Sequence, residues 1–289
     1  MPTDLPIHPA STVLVLRDSA AGPEVFMVRR HEDTAFMGGA HVFPGGRVDA
    51  ADRDAALVDD TWCDGIAHAT EQLAAMPEVE AVAYHVAAAR ELFEEAGVLL
   101  GRDASGEFVS LAGADDHARF KSYRSDVHRG RSTLRDVLER EGLRLALDTL
   151  IHFAHWVTPP SDTRRFDTRF FVTRVPPHQT PVHDDTETTH STWVTAAAAI
   201  EKAKVNDIVL PPPTWTTLRE IERRTTVAEA LAWARARHVV RREPVLIEES
   251  ERRLLVMPGD PLHPDPAAEP PASETRFVWT DRRWRATNP

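Results

Sequence analysis

Residues 81–97, AVAYHVAAARELFEEAG, are the stretch of this chain that decides its fold. Apolar residues recur there at spacings of three and four, which predicts a helix with one apolar face. Gly97 follows directly, at a position where a left-handed C-terminal cap favours glycine. We therefore predict a helix over residues 81–96. Its apolar face comprises Val82, Val86, Ala89, Phe93 and Ala96.

Three glutamates, Glu91, Glu94 and Glu95, lie on the other side of the predicted helix. Like charges at this spacing destabilise an isolated helix, and the helix dipole disfavours anions near its C-terminal end. A solvated acidic face is one interpretation. The unfavourable placement favours a compensating cation instead, since hard divalent ions take carboxylate oxygens as ligands.

Residues 90–98, RELFEEAGV, match every fixed position of the second half of the Nudix pattern, Arg-Glu-aliphatic-x-Glu-Glu-x-Gly-aliphatic. Gly46 and Asp52 match the first half, with aspartate where glutamate is usual. Between Asp52 and Arg90 lie 37 residues, thirty more than in the pattern, which leaves the role of Asp52 open. Lengthening a loop costs little free energy, so the insertion is compatible with an intact site. The chain thus resembles the Nudix hydrolases, which are metal-dependent enzymes that cleave diphosphate linkages.

The resemblance implies a role for each residue of the motif. Glu91, Glu94 and Glu95 would bind Mg²⁺ or Mn²⁺, with the carbonyl oxygen of Gly45 as a further ligand. Glu94 would also take part in catalysis, and Arg90 would orient the carboxylates. Bound cations would neutralise the diphosphate and lower the pKa of the water that attacks phosphorus.

A second acidic cluster, residues 183–190 with the sequence HDDTETTH, contains one more catalytic candidate. Nudix enzymes often take a further carboxylate, as metal ligand or general base, from a loop outside the helix. The resemblance places this carboxylate at Glu187, six residues before Trp193. A solvated polar loop and a separate His/Asp metal site are the alternatives.

The region upstream of the helix resembles the coenzyme A diphosphatases. Arg30, Gly39 and residues 43–46 (FPGG) have the spacing of that subgroup's pattern, whereas Ala35 replaces its second arginine and residues 26–28 (FMV) replace its Leu-Leu-Thr. The peroxisomal branch, which also has a long insertion in its Nudix motif, is the more similar one. Paired hydrogen bonds make arginine a good phosphate ligand. The substrate-binding candidates are Arg30, Arg29, Gly39 and Phe43.

These resemblances predict hydrolysis of coenzyme A or acyl-coenzyme A to 3′,5′-ADP and (acyl-)4′-phosphopantetheine. The alternative substrate is another nucleoside diphosphate derivative, such as ADP-ribose, NADH or a dinucleoside polyphosphate. A non-catalytic Nudix-fold binding module is a third hypothesis, disfavoured because all three helix glutamates are present.

The expected fold class is α+β, a Nudix fold with a mixed β-sheet between helices. β-Prone runs at residues 11–17 and 24–29 predict a hairpin. We assign residues 1–205 to the Nudix domain, with an insertion at about 53–80, and residues 206–289 to a C-terminal helical extension and tail packing on the same domain. The insertion and the extension would either cap the site or form a homodimer contact.

Composition narrows the expected partners and compartment. The net charge of −11 disfavours general binding to nucleic acids or membranes, whose surfaces repel an acidic protein. The single cysteine, Cys63, has no disulfide partner within the chain. Neither a secretory signal nor an apolar run of membrane-spanning length is evident. We therefore expect a cytoplasmic enzyme that binds a small nucleoside diphosphate.

Overall fold

A computed structural model describes residues 5–32, 37–184, 188–249, 252–271 and 274–287. Its strands are β1 (Ile7–Ser19), β2 (Gly22–Arg30), β3 (His41–Val42), β4 (Gly45–Arg47), β5 (Cys63–Asp64), β6 (Gly101–Arg102), β7 (Arg144–Ala146), β8 (Ile151–Val157), β9 (Arg165–Arg174), β10 (Thr188–Thr195), β11 (Arg241–Arg242), β12 (Val245–Glu248), β13 (Arg253–Val256), β14 (Arg276–Thr280) and β15 (Arg283–Thr287). Its helices are α1 (Ile66–Gln72), α2 (Glu78–Ala96), α3 (Ala114–His128), α4 (Leu134–Glu141), α5 (Ala196–Lys204), α6 (Pro212–Ile221) and α7 (Val227–Ala236).

The central sheet is mixed. Its strand order is β10-β2-β1-β9-β8-β11, with β3 paired to β2 and β4 paired to β1. β1 and β9 run parallel, whereas β1 and β2 form the predicted antiparallel hairpin. Residues 13–16 of β1, VLVL, are all fully buried. A continuous apolar run of this kind is expected where a strand is covered on both faces.

Helices cover both faces of the central sheet. Val13 and Val15 of β1 face a core that contains α2, α1 and α4, whereas Leu14 and Leu16 face a second core formed with α5, α6 and α7. The sequence prediction of an α+β fold with a mixed sheet between helices is therefore confirmed.

The central helix α2 begins three residues earlier than predicted, at Glu78, and ends at the predicted cap, Gly97, whose φ is 66°. It is buried on nearly all sides, so the glutamate side is not the solvated acidic face that was one of the two interpretations of the sequence. Glu94 and Glu95 are only 8% and 7% exposed. Other segments cover this side of the helix, and the helical periodicity of one segment carries no information about them.

The insertion packs against α2. Within it, Ala69 of α1 and Leu73, the residue after α1, lie in the same core as α2, and β5 pairs with the distant strand β7. Between the insertion and β7 lies α3, a helix that the sequence does not announce by apolar spacing. The helix α3 buries only two apolar side chains, Phe120 and Val127, so it lacks a clear helical stripe.

The C-terminal segment continues beyond the helices. After α6 and α7, the strands β12, β13, β14 and β15 form an antiparallel sheet in that order. Leu255 and Phe277 of this sheet are buried in the core that contains α5–α7. Within the described ranges, every helix is too short or too polar to cross a lipid bilayer.

Candidate active site

The two glycines of the sequence motif lie directly on the carboxylates of α2. In β4, Gly45 pairs with Thr12 and Gly46 with Ser11 of β1. The backbone N–H of Gly45 donates a hydrogen bond to Glu95 Oε2 at 2.9 Å. A Cβ added to Gly46 would lie 2.4 Å from Glu91 Oε1. This close approach of backbone to carboxylate explains why glycine is needed here.

Asp52 and Arg90 join the two halves of the motif. Arg90 Nε donates to Asp52 Oδ1 at 2.8 Å and Nη2 donates to Oδ2 at 3.0 Å. Both side chains are buried, with Arg90 7% and Asp52 2% exposed. A bidentate ion pair of this kind is stronger than one with a single hydrogen bond. The role of Asp52, which the insertion left open, is therefore to bind the arginine of the motif.

Arg90 also contacts two of the glutamates. Its Nη1 donates to Glu91 Oε1 and to Glu94 Oε1, both at 2.9 Å, and its Nη2 donates to the backbone oxygen of Arg47 at 2.7 Å. Burial disfavours the charge, but Asp52 and Glu91 outweigh it and raise the pKa of Arg90. Arg90 is thus a permanent cation that connects α2 to the β4 loop.

The carboxyl group of Glu91 has an unusual affinity for protons. Burial raises its pKa above the ordinary value of a glutamate; Arg90 opposes this shift, and the negative charge of Glu94 adds to it. Desolvation disfavours the charged form of an acid, and a like charge nearby does the same. A cation bound beside Glu91 would offset both effects.

The helix α3 supplies two contacts to Glu94 that sequence reasoning missed. Arg124 Nε donates to the backbone oxygen of Glu94 at 2.7 Å, and His128 Nδ1 lies 3.4 Å from Glu94 Oε2. Neither residue belongs to a motif, and they lie about thirty positions away in the chain. The sequence contains no signal that would place them at the site.

The donors of this site suit a hard divalent cation. Carboxylate oxygens are the ligands such ions prefer. Among the residues that the structure describes, no three His, Cys, Asp or Glu side chains converge as a complete ligand set. Mg²⁺ typically takes one or two carboxylates and completes its coordination with water and substrate phosphates. The acidic residues therefore fit a cation that is shared with a phosphate-bearing substrate.

A cavity of about 200 Å³ adjoins the glycine loop. Thr12, Phe43 and Gly45 border it at this end. Arg30 also lines it, and the Nε of Arg30 is buried with no hydrogen-bond partner in the described structure. The sequence-predicted residues Arg30 and Phe43 are therefore brought together at one cavity, next to the carboxylate cluster.

The remaining predicted substrate-binding residues lie elsewhere. Gly39 has a φ of 75°, and its N–H donates to the backbone oxygen of Arg30 at 3.2 Å, so its conformation closes the loop after β2. Arg29 pairs with the exposed Glu32 and does not line the cavity. Glu187, the predicted further carboxylate, lies outside the described residues.

The chain belongs to the Nudix hydrolases, the enzymes that cleave diphosphate bonds. Residues 65–221, more than half of its length, match the family model described as the NUDT19 Nudix domain. Members of this family depend in general on divalent metal ions, which agrees with the acidic donors of the site.

Within the family, the chain is similar to acyl-coenzyme A diphosphatase NUDT19 of Homo sapiens, with 29% identity over 290 residues that cover 84% of this chain and 73% of the relative. The Gallus gallus protein of the same name is also 29% identical, over 86% of this chain and 75% of its own. A crystal structure of a NUDIX hydrolase from Alicyclobacillus acidocaldarius superposes with a TM-score of 0.67 at 26% identity, covering 80% of this chain and 97% of that one. The predicted resemblance to the coenzyme A diphosphatase branch is confirmed.

Proposed function

We propose that this protein hydrolyses the diphosphate bond of coenzyme A or acyl-coenzyme A, with Mg²⁺ or Mn²⁺, to 3′,5′-ADP and (acyl-)4′-phosphopantetheine. The observation that carries the proposal is the largely buried cluster of Glu91, Glu94 and Glu95 against the glycine loop, beside a cavity that Arg30 lines. The acyl-coenzyme A diphosphatases among the similar proteins support the choice of substrate.

In the proposed reaction, Glu91, Glu94 and Glu95 hold the cation, with the carbonyl oxygen of Gly45 as a further ligand. When bound, the cation neutralises the diphosphate, polarises its P–O bonds and lowers the pKa of the attacking water. Arg90 holds Glu91 and Glu94 through its hydrogen bonds, and the Gly45 N–H holds Glu95.

Two further catalytic assignments belong to the proposal. Glu94 takes part in the proton transfers of the reaction, and Glu187 supplies the additional carboxylate, as general base or ligand. For substrate binding, Arg30 engages a phosphate group through its guanidinium, whose Nε has no partner in the described structure. Phe43 packs at the cavity wall, while Gly39 and Arg29 shape the loop that follows Arg30.

The decisive experiment is turnover of a substrate panel. Purified protein with Mg²⁺ or Mn²⁺ should release 3′,5′-ADP from coenzyme A, measured by chromatography of the nucleotide products. ADP-ribose, NADH and a dinucleoside tetraphosphate are run in parallel under the same conditions. A kcat/KM for any of these three above that for coenzyme A would replace the proposed substrate.

The metal assignment is tested at Glu95. The variant Glu95→Gln keeps the size of the side chain and removes its charge, so we expect a loss of at least about 100-fold in kcat. The matched control is Glu201→Gln, because Glu201 is an exposed helix residue paired with Lys204. Equal activity of the two variants would refute the role of Glu95 as a cation ligand.

The cellular setting is part of the proposal as well. We propose a cytoplasmic homodimer that does not bind nucleic acids or membranes, in which residues 206–289 pack on the Nudix domain of residues 1–205. The net charge of −11 supports the absence of polyanionic partners. Light scattering tests the dimer, and imaging of a tagged protein tests the compartment.

A further inference from the structure

The cavity beside Gly45 has a second wall that the Nudix motif does not supply. This wall comes from the C-terminal strands and the loop before them, which lie beyond residue 221, where the match to the family model ends. The cavity-lining residues of this part are Pro244, Leu246, Arg253, Leu255 and Trp284.

Another part of the lining is also mainly apolar. It consists of aromatic side chains of the central sheet and the proline run at the start of α6, namely Trp156, Phe166, Phe170, Pro211, Pro212 and Pro213. The polar lining residues are Thr12, Arg30, Thr158, Ser161, Asp162, Thr168, Thr214 and Arg253. Because most of the lining is apolar, the cavity suits an aliphatic chain.

The charged residues of the lining indicate which part of a substrate the cavity would accept at each place. They are Arg30, Asp162 and Arg253. Arg30 suits an anionic phosphate group, because a guanidinium forms paired hydrogen bonds to phosphate oxygens. The apolar residues of the C-terminal strands suit an uncharged part of the substrate.

Gly45 connects the cavity to the carboxylate cluster. Its N–H donates to Glu95, and the same residue borders the cavity. A substrate whose diphosphate lies on the cluster therefore has this cavity beside it.

We propose that this cavity binds the acyl arm of an acyl-coenzyme A, and that Leu246, Leu255 and Trp284 determine which acyl lengths are accepted. The inference rests on the proposed function and adds a specificity determinant to it. Each methylene that is removed from water in such a cavity should raise kcat/KM by about fourfold until the cavity is full.

The test measures chain-length selectivity as the ratio of kcat/KM for octanoyl-coenzyme A to that for acetyl-coenzyme A. We expect a ratio of about 15-fold or more for the unmodified protein, which is the gain from burying at least two of the six additional methylenes at about fourfold each. Leu246→Trp fills the cavity and should lower the ratio by about tenfold, whereas Leu246→Ala enlarges it and should shift the preference to longer chains. Leu246 is half-buried, so both variants should fold, as thermal melting verifies.

The matched control is Leu262→Trp, because Leu262 is 45% exposed and does not line the cavity. It should leave the ratio unchanged. A uniform loss for all acyl lengths in both Leu246 variants would show that the cavity binds another part of the substrate, and would overturn the inference. A flat dependence on acyl length in the unmodified enzyme would overturn it while leaving coenzyme A hydrolysis intact. No release of 3′,5′-ADP from any coenzyme A substrate would instead refute the proposed function.

Discussion

Replacement of Asp52 tests the connection between the two halves of the motif. Asp52→Ala leaves the buried guanidinium of Arg90 without its two-bonded partner. Removal of one member of a buried ion pair costs about 3–5 kcal/mol, because the remaining charge is uncompensated. Glu91, Glu94 and the Arg47 carbonyl still contact Arg90, so we expect the lower end, about 3 kcal/mol.

This loss converts to a measurable change in thermal stability. At about 2.1 cal/mol/K of unfolding entropy per residue, a chain of 289 residues should lose about 5 °C of Tm for 3 kcal/mol. The same substitution releases Arg90, which holds Glu91 and Glu94, so kcat should fall as well. Urea unfolding measures the loss of stability, thermal melting measures the change in Tm, and steady-state kinetics on the same preparation measures kcat.

The matched control for this prediction is an exposed pair. Asp207 lies 2.9 Å from Lys202, with both side chains more than half exposed. Asp207→Ala should cost less than about 1 kcal/mol, because solvent screens such a pair. If Asp52→Ala were as mild as Asp207→Ala in stability and in kcat, the assignment of Asp52 as the partner of Arg90 would be refuted.

Two further predictions concern the glycine loop and the buried histidines. Gly46→Ala puts a methyl group against Glu91, so kcat should drop at least about tenfold. The control is Gly113→Ala at an exposed position, which should leave kcat unchanged. Similar kcat values for the two variants would contradict the loop geometry. Burial lowers the pKa of His85 to about 4 and of His152 to about 3 from 6.5. As the pH drops, both histidines take up a proton at a higher pH in the unfolded chain than in the folded protein. The free energy of unfolding therefore falls between pH 6.5 and pH 4, and the loss at pH 5 is about 2 kcal/mol per histidine. Urea unfolding measures how much free energy of unfolding is lost between pH 7 and pH 5. This loss should be about 2 kcal/mol smaller in His85→Gln than in the unmodified protein, and an equal loss in both would refute the role of His85.

Local features of the site could be predicted from the sequence. The helix α2 and its end at Gly97 follow from apolar spacing and from the preference of glycine for a positive φ. The hairpin of β1 and β2 follows from two β-prone runs with a turn between them. Each of these features depends on interactions between residues that are close in the chain.

The environment of the carboxylates could not be predicted in this way. The glutamates of α2 were expected on a polar face of the helix, yet Glu94 and Glu95 are buried. They are covered by the glycine loop and contacted by α3, whose Arg124 and His128 reach Glu94. Helical periodicity describes one segment and contains no information about which other segment packs on it.

The sequence by itself determined the central helix, its three glutamates, the glycine loop and the family to which they belong. Only the tertiary structure decided that Asp52 pairs with Arg90 across the insertion, and that the C-terminal strands line the cavity beside the glycine loop. The physical reason is that lengthening a loop costs little free energy, so separation in the chain does not reveal whether two segments meet. Packing of the whole core brings these segments together.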